Sequence, residues 1–390
     1  METKHLQLKY NLLHICYWCC ACTVCGYVAI YLQHKGLSNT MIGLVTGSSC
    51  VLMIPVSPLV SSLPQKYKNL TIQRLLDFLF ILSFVVFLLL SYTKAPSGVL
   101  VVCYMGLLCI SACIIPLLSA LAMDYIHNGA MINFGISRGM GSISYAIAAI
   151  FLGQFLKHFS PDILSVIFTI ASLGFLAISH SLPKQEGQTQ AGRKAGSLFS
   201  VVRKYKALSL ILIGYAFDFA GATMLATYLI NIVKNLGGDT SIYGTAVFIM
   251  AVSEMPAMAL THKLMKKYDA MNLVIVAGVC YILRNTLICI AGNIAVLFFG
   301  MLFQSVTYGL LTAFLTYYVA EACDSEDEMM GQTLIGIMTS GIGSMIGNVL
   351  GGLLQDRFGI HAMLGAVILL TLFGSSILIF TGLSFRKGRR

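Results

Sequence analysis

Again and again this 390-residue chain runs without a charge for about 20 residues, the length needed to cross ~30 Å of hydrocarbon as a helix. Only 10% of its residues are charged and 57% are hydrophobic, whereas soluble domains carry roughly 25% charged residues. A soluble chain this long could not cover so much apolar surface with the polar groups it has. Lipid tails can. The sequence therefore predicts a polytopic α-helical membrane protein.

Apolar spans fall at 10–32, 39–63, 71–93, 97–123, 134–157 and 161–181, and then at 207–233, 241–265, 271–292, 294–320, 329–355 and 360–383. The intervening stretch, LPKQEGQTQAGRKAGSLFSVVRKYK, is the only long polar segment and reads as a linker. The expected architecture is an all-α membrane protein of twelve transmembrane helices in two six-helix bundles. Residues 1–181 form one, 207–390 the other, and 182–206 a cytoplasmic linker. Ile143-to-Phe159 aligns without gaps on Ile342-to-Phe358, at the fifth span of each half, with Ile143/Ile342, Ile147/Ile346, Gly153/Gly352 and Phe159/Phe358 coinciding. Such parallel repeats mark a two-bundle transporter. Gly343, Gly347 and Gly351 recur every four residues on the eleventh span, so a neighbouring backbone can approach closely there.

The net charge of +10 does not point to nucleic acid, because the basic residues occupy short loops. Lys9, Lys66, Lys68, Arg74, Lys184, Arg193, Lys204, Lys267 and Arg386 gather on one side, and Lys35, Lys94, Lys157, Lys234 and Arg357 make up the sparser other. The richer side is cytoplasmic, which puts both termini inside. No secretory signal is expected, since the apolar segment after Met1–Lys9 is too long and has no small-residue cleavage site. Cys19, Cys20, Cys22 and Cys25 include a CxxC, but no second pair or histidine at metal spacing accompanies it, so these thiols read as packing residues. No nucleophile–base pair or phosphate loop suggests an enzyme.

A mid-membrane charge costs at least ~2.5–3.5 kcal/mol and needs a partner or a hydrated cavity. Asp218, Glu254 and Arg284 lie at similar depths in the seventh, eighth and ninth spans. Two acids facing one base would leave a surplus carboxyl able to carry a proton, and the sequence favours Glu254 over Asp218. The alternative is an ion-pair network that only fixes packing. In the first half Asp124 ends the fourth span and Arg138 opens the fifth, with Tyr145 two turns on and on the same face. A guanidinium can donate to sugar hydroxyls while a ring covers the C–H side of a pyranose. Bland readings remain for both: a positive-inside arginine and a packed aromatic. Gln304 and Tyr308 on the tenth span can line the same cavity or bond between helices. His14 reads as a packing residue.

Several stretches resemble the oligosaccharide:proton symporter group of the major facilitator superfamily, which includes lactose permease. They are Tyr31-Leu32-Gln33-His34-Lys35-Gly36-Leu37-Ser38 followed by Ile42-Gly43, Phe134 through Ser142, and Ser253-Glu254-Met255-Pro256. The resemblance implies that Arg138 contacts sugar and pairs with Asp124, that Tyr145 takes the place of the sugar-stacking aromatic, and that Glu254 binds sugar. It also implies that Asp218 and Arg284 occupy the group's seventh-helix aspartate and ninth-helix proton-pathway arginine. It ends at the tenth span, which reads Gly300-Met301-Leu302-Phe303-Gln304-Ser305-Val306-Thr307-Tyr308 and lacks the group's lysine, histidine and coupling glutamate.

The resulting expectation is a monomeric, proton-coupled symporter in a bacterial cytoplasmic membrane, importing a sugar or nucleoside-like solute by alternating access. Its substrate residues would be Arg138, Asp124, Tyr145, Glu254, Gln304 and Tyr308, and its coupling residues Glu254, Asp218 and Arg284. No cofactor or metal is expected beyond the proton as coupling ion. Proton-antiport efflux of sugars or drugs, and a non-transporting sensor on the same fold, are the rivals.

Overall fold

Hydrocarbon offers a peptide group no hydrogen-bond partner, so a spanning segment must satisfy its own backbone, and an α-helix does this locally. The computed structural model describes residues 5–67, 70–183, 198–324 and 326–386, and among them every regular element is helical. Eleven of these helices are long and apolar enough to cross a membrane, and the bent pair Leu6–Gly26 plus Val28–His34 makes a twelfth.

The remaining spans are Asn39–Lys66, Ile72–Tyr92, Ser97–His127, Phe134–His158 and Ile163–His180, then Lys206–Thr227, Thr240–Lys267 and Ala270–Cys289. Ile294–Ala322, Glu328–Phe358 and Ile360–Phe385 complete the set. Each agrees with an apolar run, with ends displaced by a few residues. The helix Leu229–Asn235 continues the seventh span past Tyr228. Much of the expected linker, and Lys68, Lys184 and Arg193 with it, lies outside the described residues. Its described end contains the helix Leu198–Lys204.

The residues sort into two units, one within Met1–Leu37 and Val51–Ala191, the other within Ser38–Cys50 and Gly192–Arg390. Ser38–Cys50, the first part of the second span, packs with the second unit. Glycine is the local reason. A Cβ at Gly43 would collide with the Asn348 carbonyl oxygen, and one at Gly352 with the Asn39 carbonyl oxygen. The Asp356 carboxylate also accepts from the Asn39 and Thr40 backbone N–H groups at 3.2 and 2.6 Å. These are open donors at a helix start, where a negative charge is favoured. Asn39 Nδ2 adds a further bond to Asp356 at 2.8 Å.

The glycine row of the eleventh span has the role its period predicted. Gly343 faces the Ala216 carbonyl and Phe219, Gly347 the backbone of Ala220, and Gly351 the side chains of Met224 and Tyr228, all on the seventh span and its extension. The repeat positions also correspond: Gly153 and Gly352 are buried, and Phe159 and Phe358 are exposed. The second unit's core sets Leu208, Ile211, Tyr215, Tyr281, Leu311 and Phe314 together.

In the first unit, Asp162 before the sixth span binds both basic residues of the first loop, Lys35 Nζ at 2.8 Å and His34 Nε2 at 3.1 Å. Partial burial resists ionisation of Asp162, but the bonds from Lys35 and His34 outweigh it and hold the carboxyl below the usual carboxylate range.

Gly347→Val should lower the thermal unfolding midpoint, since overpacking a filled contact costs about 1–3 kcal/mol. Gly365→Val should not, because nothing lies within 4 Å of a Cβ there. A thiol-reactive dye reads both transitions, since all twelve cysteines are free. The depressed Asp162 pKa means its stabilisation is present above the ordinary carboxylate value of 3.8 and is lost as pH falls through the folded value. Asp162→Asn should therefore cost up to about 1 kcal/mol at neutral pH. Thermal unfolding followed by circular dichroism down to acid pH should show the difference from wild type closing.

Candidate functional site

Each unit gathers polar side chains at membrane depth, and in each the gathering adjoins a π-helical segment. A π turn inserts one residue into the helical ladder, re-aims side chains and recurs at functional sites. In the first span it covers Cys22–Gly26, closed by Tyr27 N–H donating to Cys22 at 3.1 Å, and the helix bends by 52° beyond it. In the tenth span it covers Ser305–Gly309, and in the eleventh Ile337–Gly343.

In the first unit the fifth span presents Arg138, Gly141, Ser142 and Tyr145 on one face, at i, i+3, i+4 and i+7. Arg138 is half-buried, and its Nη1 donates to Ser142 Oγ at 2.9 Å. Its guanidinium lies over the ring of Trp18 on the first span, 4.2 Å from the centroid. Tyr145 meets Trp18 edge to face, centroids 6.0 Å apart, and its hydroxyl lies against Gly26, where a Cβ would come within 2.7 Å. Arg138 and Tyr145 share the face that their spacing implied. Asp124 is half-buried near the end of the fourth span.

Trp18 went unnoticed in the sequence reading. Two signals could have found it: it is the only tryptophan of the chain, and it sits deep in a span instead of at a span end, where tryptophan usually anchors. His14, one turn away, is buried and hydrogen-bonds Tyr10 through Nε2 at 3.1 Å, as a packing residue does.

In the second unit Glu254 is half-buried on the eighth span, two residues before Pro256. Proline has no N–H to give, which leaves a carbonyl of the preceding turn without its helical partner. Gln304, buried on the tenth span, donates Nε2 to Glu254 Oε1 at 2.8 Å, while its own Oε1 has no hydrogen-bond partner among the described residues. Gly309 of the π segment packs on the Glu254 backbone, and a Cβ there would come within 3.1 Å of the Glu254 carbonyl oxygen. Tyr308, within the same π segment, tilts against Phe219, centroids 5.9 Å apart.

Asp218, Glu254 and Arg284 lie on the seventh, eighth and ninth spans, and their bonding partners diverge. Asp218 is fully buried, and Ser375 of the twelfth span donates to its carboxyl from 3.0 Å. Arg284 is buried too. Its Nη1 donates to Asn285 at 2.8 Å, Asn285 passes a bond to Thr371 of the twelfth span at 2.7 Å, and Arg284 Nε has no hydrogen-bond partner among the described residues. The twelfth span, which no sequence argument singled out, engages two of the three charged sites. Glu254 stands apart as the half-exposed carboxylate, and it lies within electrostatic reach of Arg284. Asp218 takes its hydrogen bond from a serine hydroxyl.

Among the described residues no group of three histidine, cysteine or acidic side chains is placed to hold a metal ion. What the two sites can do is bind and exchange. One offers a charged multi-donor with aromatic faces, the other a carboxylate beside amide and hydroxyl groups.

The sequence model of the MFS_1 like family matches residues 7–364. The uncharacterized transporter YwbF of Bacillus subtilis (strain 168) is 24% identical over 373 residues, covering 90% of this chain and 88% of that protein. The maltose permease of Geobacillus stearothermophilus is 20% identical over 353 residues, with coverage of 90% and 88%. Among solved structures, the nucleoside transporter NupG superposes with a TM-score of 0.74 at 18% identity, over 98% of this chain and 99% of that one.

Ser375→Ala should destabilise the second unit by about 1–3 kcal/mol, the cost of leaving a buried polar group without its bond. Thr316→Ala, whose hydroxyl only bonds back to Thr312 within its own helix, should stay within about 0.5 kcal/mol of wild type. Thermal unfolding of the two variants side by side checks this.

Proposed function

The chain belongs to the MFS_1 like family, and we propose that this multi-pass membrane transporter of the major facilitator type imports a sugar or nucleoside-like solute together with a proton. It is a transport protein and not an enzyme. The relatives that match along its length include a maltose permease.

One observation carries the substrate class: Arg138, Ser142 and Tyr145 share one face of the fifth span, with the guanidinium held over Trp18. Arginine can donate several hydrogen bonds in a fixed fork to vicinal hydroxyls, and the rings offer flat apolar faces to a pyranose or a base. Asp124 is proposed as the acid that shares this solute end, and Gln304 and Tyr308 as solute contacts in the second half.

Glu254 is the proposed proton carrier. It is the half-exposed carboxylate of the charged layer, its bond from Gln304 can survive loss or gain of a proton, and Arg284 lies within electrostatic reach. Asp218, bonded to Ser375, supports coupling from behind by fixing the seventh span on the twelfth. Alternating access then requires solute and proton to favour the same states, because a ligand shifts an equilibrium only by its differential affinity. The protein works as a monomer in a bacterial cytoplasmic membrane, with both termini in the cytoplasm and residues 1–181 and 207–390 as its two six-helix halves.

Proteoliposomes with an inward proton gradient and a panel of maltose, xylose and uridine test this reading. At least one solute should accumulate against its gradient. Arg138→Ala should raise the half-saturation concentration about tenfold or more, as loss of bonds from a charged group costs about 1.5–3 kcal/mol. Glu254→Gln should keep solute exchange while losing accumulation. Extrusion of solute under the same gradient would favour antiport, and no movement of any solute would favour the non-transporting sensor.

A further inference from the structure

Trp18 is the only tryptophan of the chain and lies about twelve residues into the first span, far from the span ends where the indole of an interfacial anchor would meet headgroups. The reason it can lie there is on the fifth span. A Cβ on Gly141 would come within 2.6 Å of the indole Nε1 and would overlap Cδ1. The ring therefore rests on bare backbone, in a seat that any other residue would fill.

From this seat the indole touches both residues of the solute face. Arg138, one turn before Gly141, lays its guanidinium over the indole at 4.2 Å. Tyr145, one turn after it, meets the indole at 80° with centroids 6.0 Å apart. Tyr17 braces it from its own helix, at 5.3 Å and 74°. Tyr17 is held in turn by a 2.9 Å bond to the Ser111 carbonyl. The indole Nε1 is buried with no hydrogen-bond partner among the described residues, so no bond there to its N–H accounts for its place. Ring contacts and the glycine seat do.

We propose that Trp18 is a positioning residue of the solute site, holding the Arg138 guanidinium and the Tyr145 ring in the arrangement that binds a hydroxylated solute. The proposal rests on the reading that Arg138 and Tyr145 contact solute. An arginine side chain is long and loses much rotamer freedom when it binds. A guanidinium already stacked on an aromatic face has lost part of that freedom beforehand, and a preorganised group binds more tightly. The indole thus acts on affinity through its neighbours, and Gly141 acts through the indole.

Because Trp18 is the only tryptophan, the emission of the purified protein excited selectively at the indole reports on this one contact. In the absence of solute, Arg138→Ala and Gly141→Ala should each shift its emission maximum or change its yield, while Lys267→Ala, on another span, should not. In uptake of maltose, xylose or uridine, Trp18→Ala should raise the half-saturation concentration about tenfold with the maximal rate within threefold of wild type. Trp18→Phe, which keeps a ring and guards against a folding defect, should recover most of the lost affinity.

Unchanged emission in Arg138→Ala overturns the contact, and an unchanged half-saturation concentration in Trp18→Ala overturns the role. A Trp18→Phe variant no better than Trp18→Ala also overturns it, since a face for the guanidinium would then not matter. If Arg138→Ala itself leaves uptake unchanged, the solute-site reading fails instead, and the emission of that variant still decides whether Trp18 holds Arg138.

Discussion

Hydrocarbon solvates neither a peptide group nor a charge, and this governs the whole molecule. It makes every span a helix and makes a charged side chain at depth costly unless it finds a partner. Asp218 finds Ser375, Arg284 finds Asn285, and Glu254 finds Gln304. Arg138 finds a serine hydroxyl and an indole face. These are different answers to one demand. A carboxylate fully enclosed with a hydroxyl fixes packing, whereas a half-exposed carboxylate bonded by a neutral amide can exchange a proton with little rearrangement around it.

The same demand explains the glycines. Without a hydrophobic force between helices in lipid, close van der Waals packing has to hold spans together, and bare backbone permits it. Gly343, Gly347 and Gly351 bring the eleventh span onto the seventh. Gly214 and Gly374 do the same for the seventh and twelfth, each lying against the other's backbone beside Asp218. Gly141 differs in what it admits, a ring in place of a second backbone. The π segments complete this economy of backbone. Two of them sit where side chains had to be re-aimed: beneath Tyr145 at Gly26, and beside Glu254 at Gly309.

The spans were legible in the sequence because the absence of charge over a membrane's thickness needs no knowledge of neighbours. The glycine row was legible because a period of four stays on one helix face. Which spans carry the charges was legible, but not the direction in which those charges point. Depth changes by only ~1.5 Å per residue, so an uncertain span end hardly matters, but direction turns by about 100° per residue. An error of two residues at a span end can aim a side chain at the wrong neighbour. The bend at Tyr27 and the π turns have no signature in one sequence, since an inserted residue looks like any other. Trp18 was missed because its partners lie on the fifth span, and no periodicity within the first span points to them.

The central claim is that solute binding in one half is tied to protonation of a carboxylate in the other half's charged layer. Proton exchange on solute binding measures that tie without any membrane gradient. Purified protein in weakly buffered detergent solution, near neutral pH, should take up protons when a transported solute is added, and Glu254→Gln should bind solute with no such uptake. Solute binding without proton uptake in the wild type, or equal uptake in Glu254→Gln, would contradict the account.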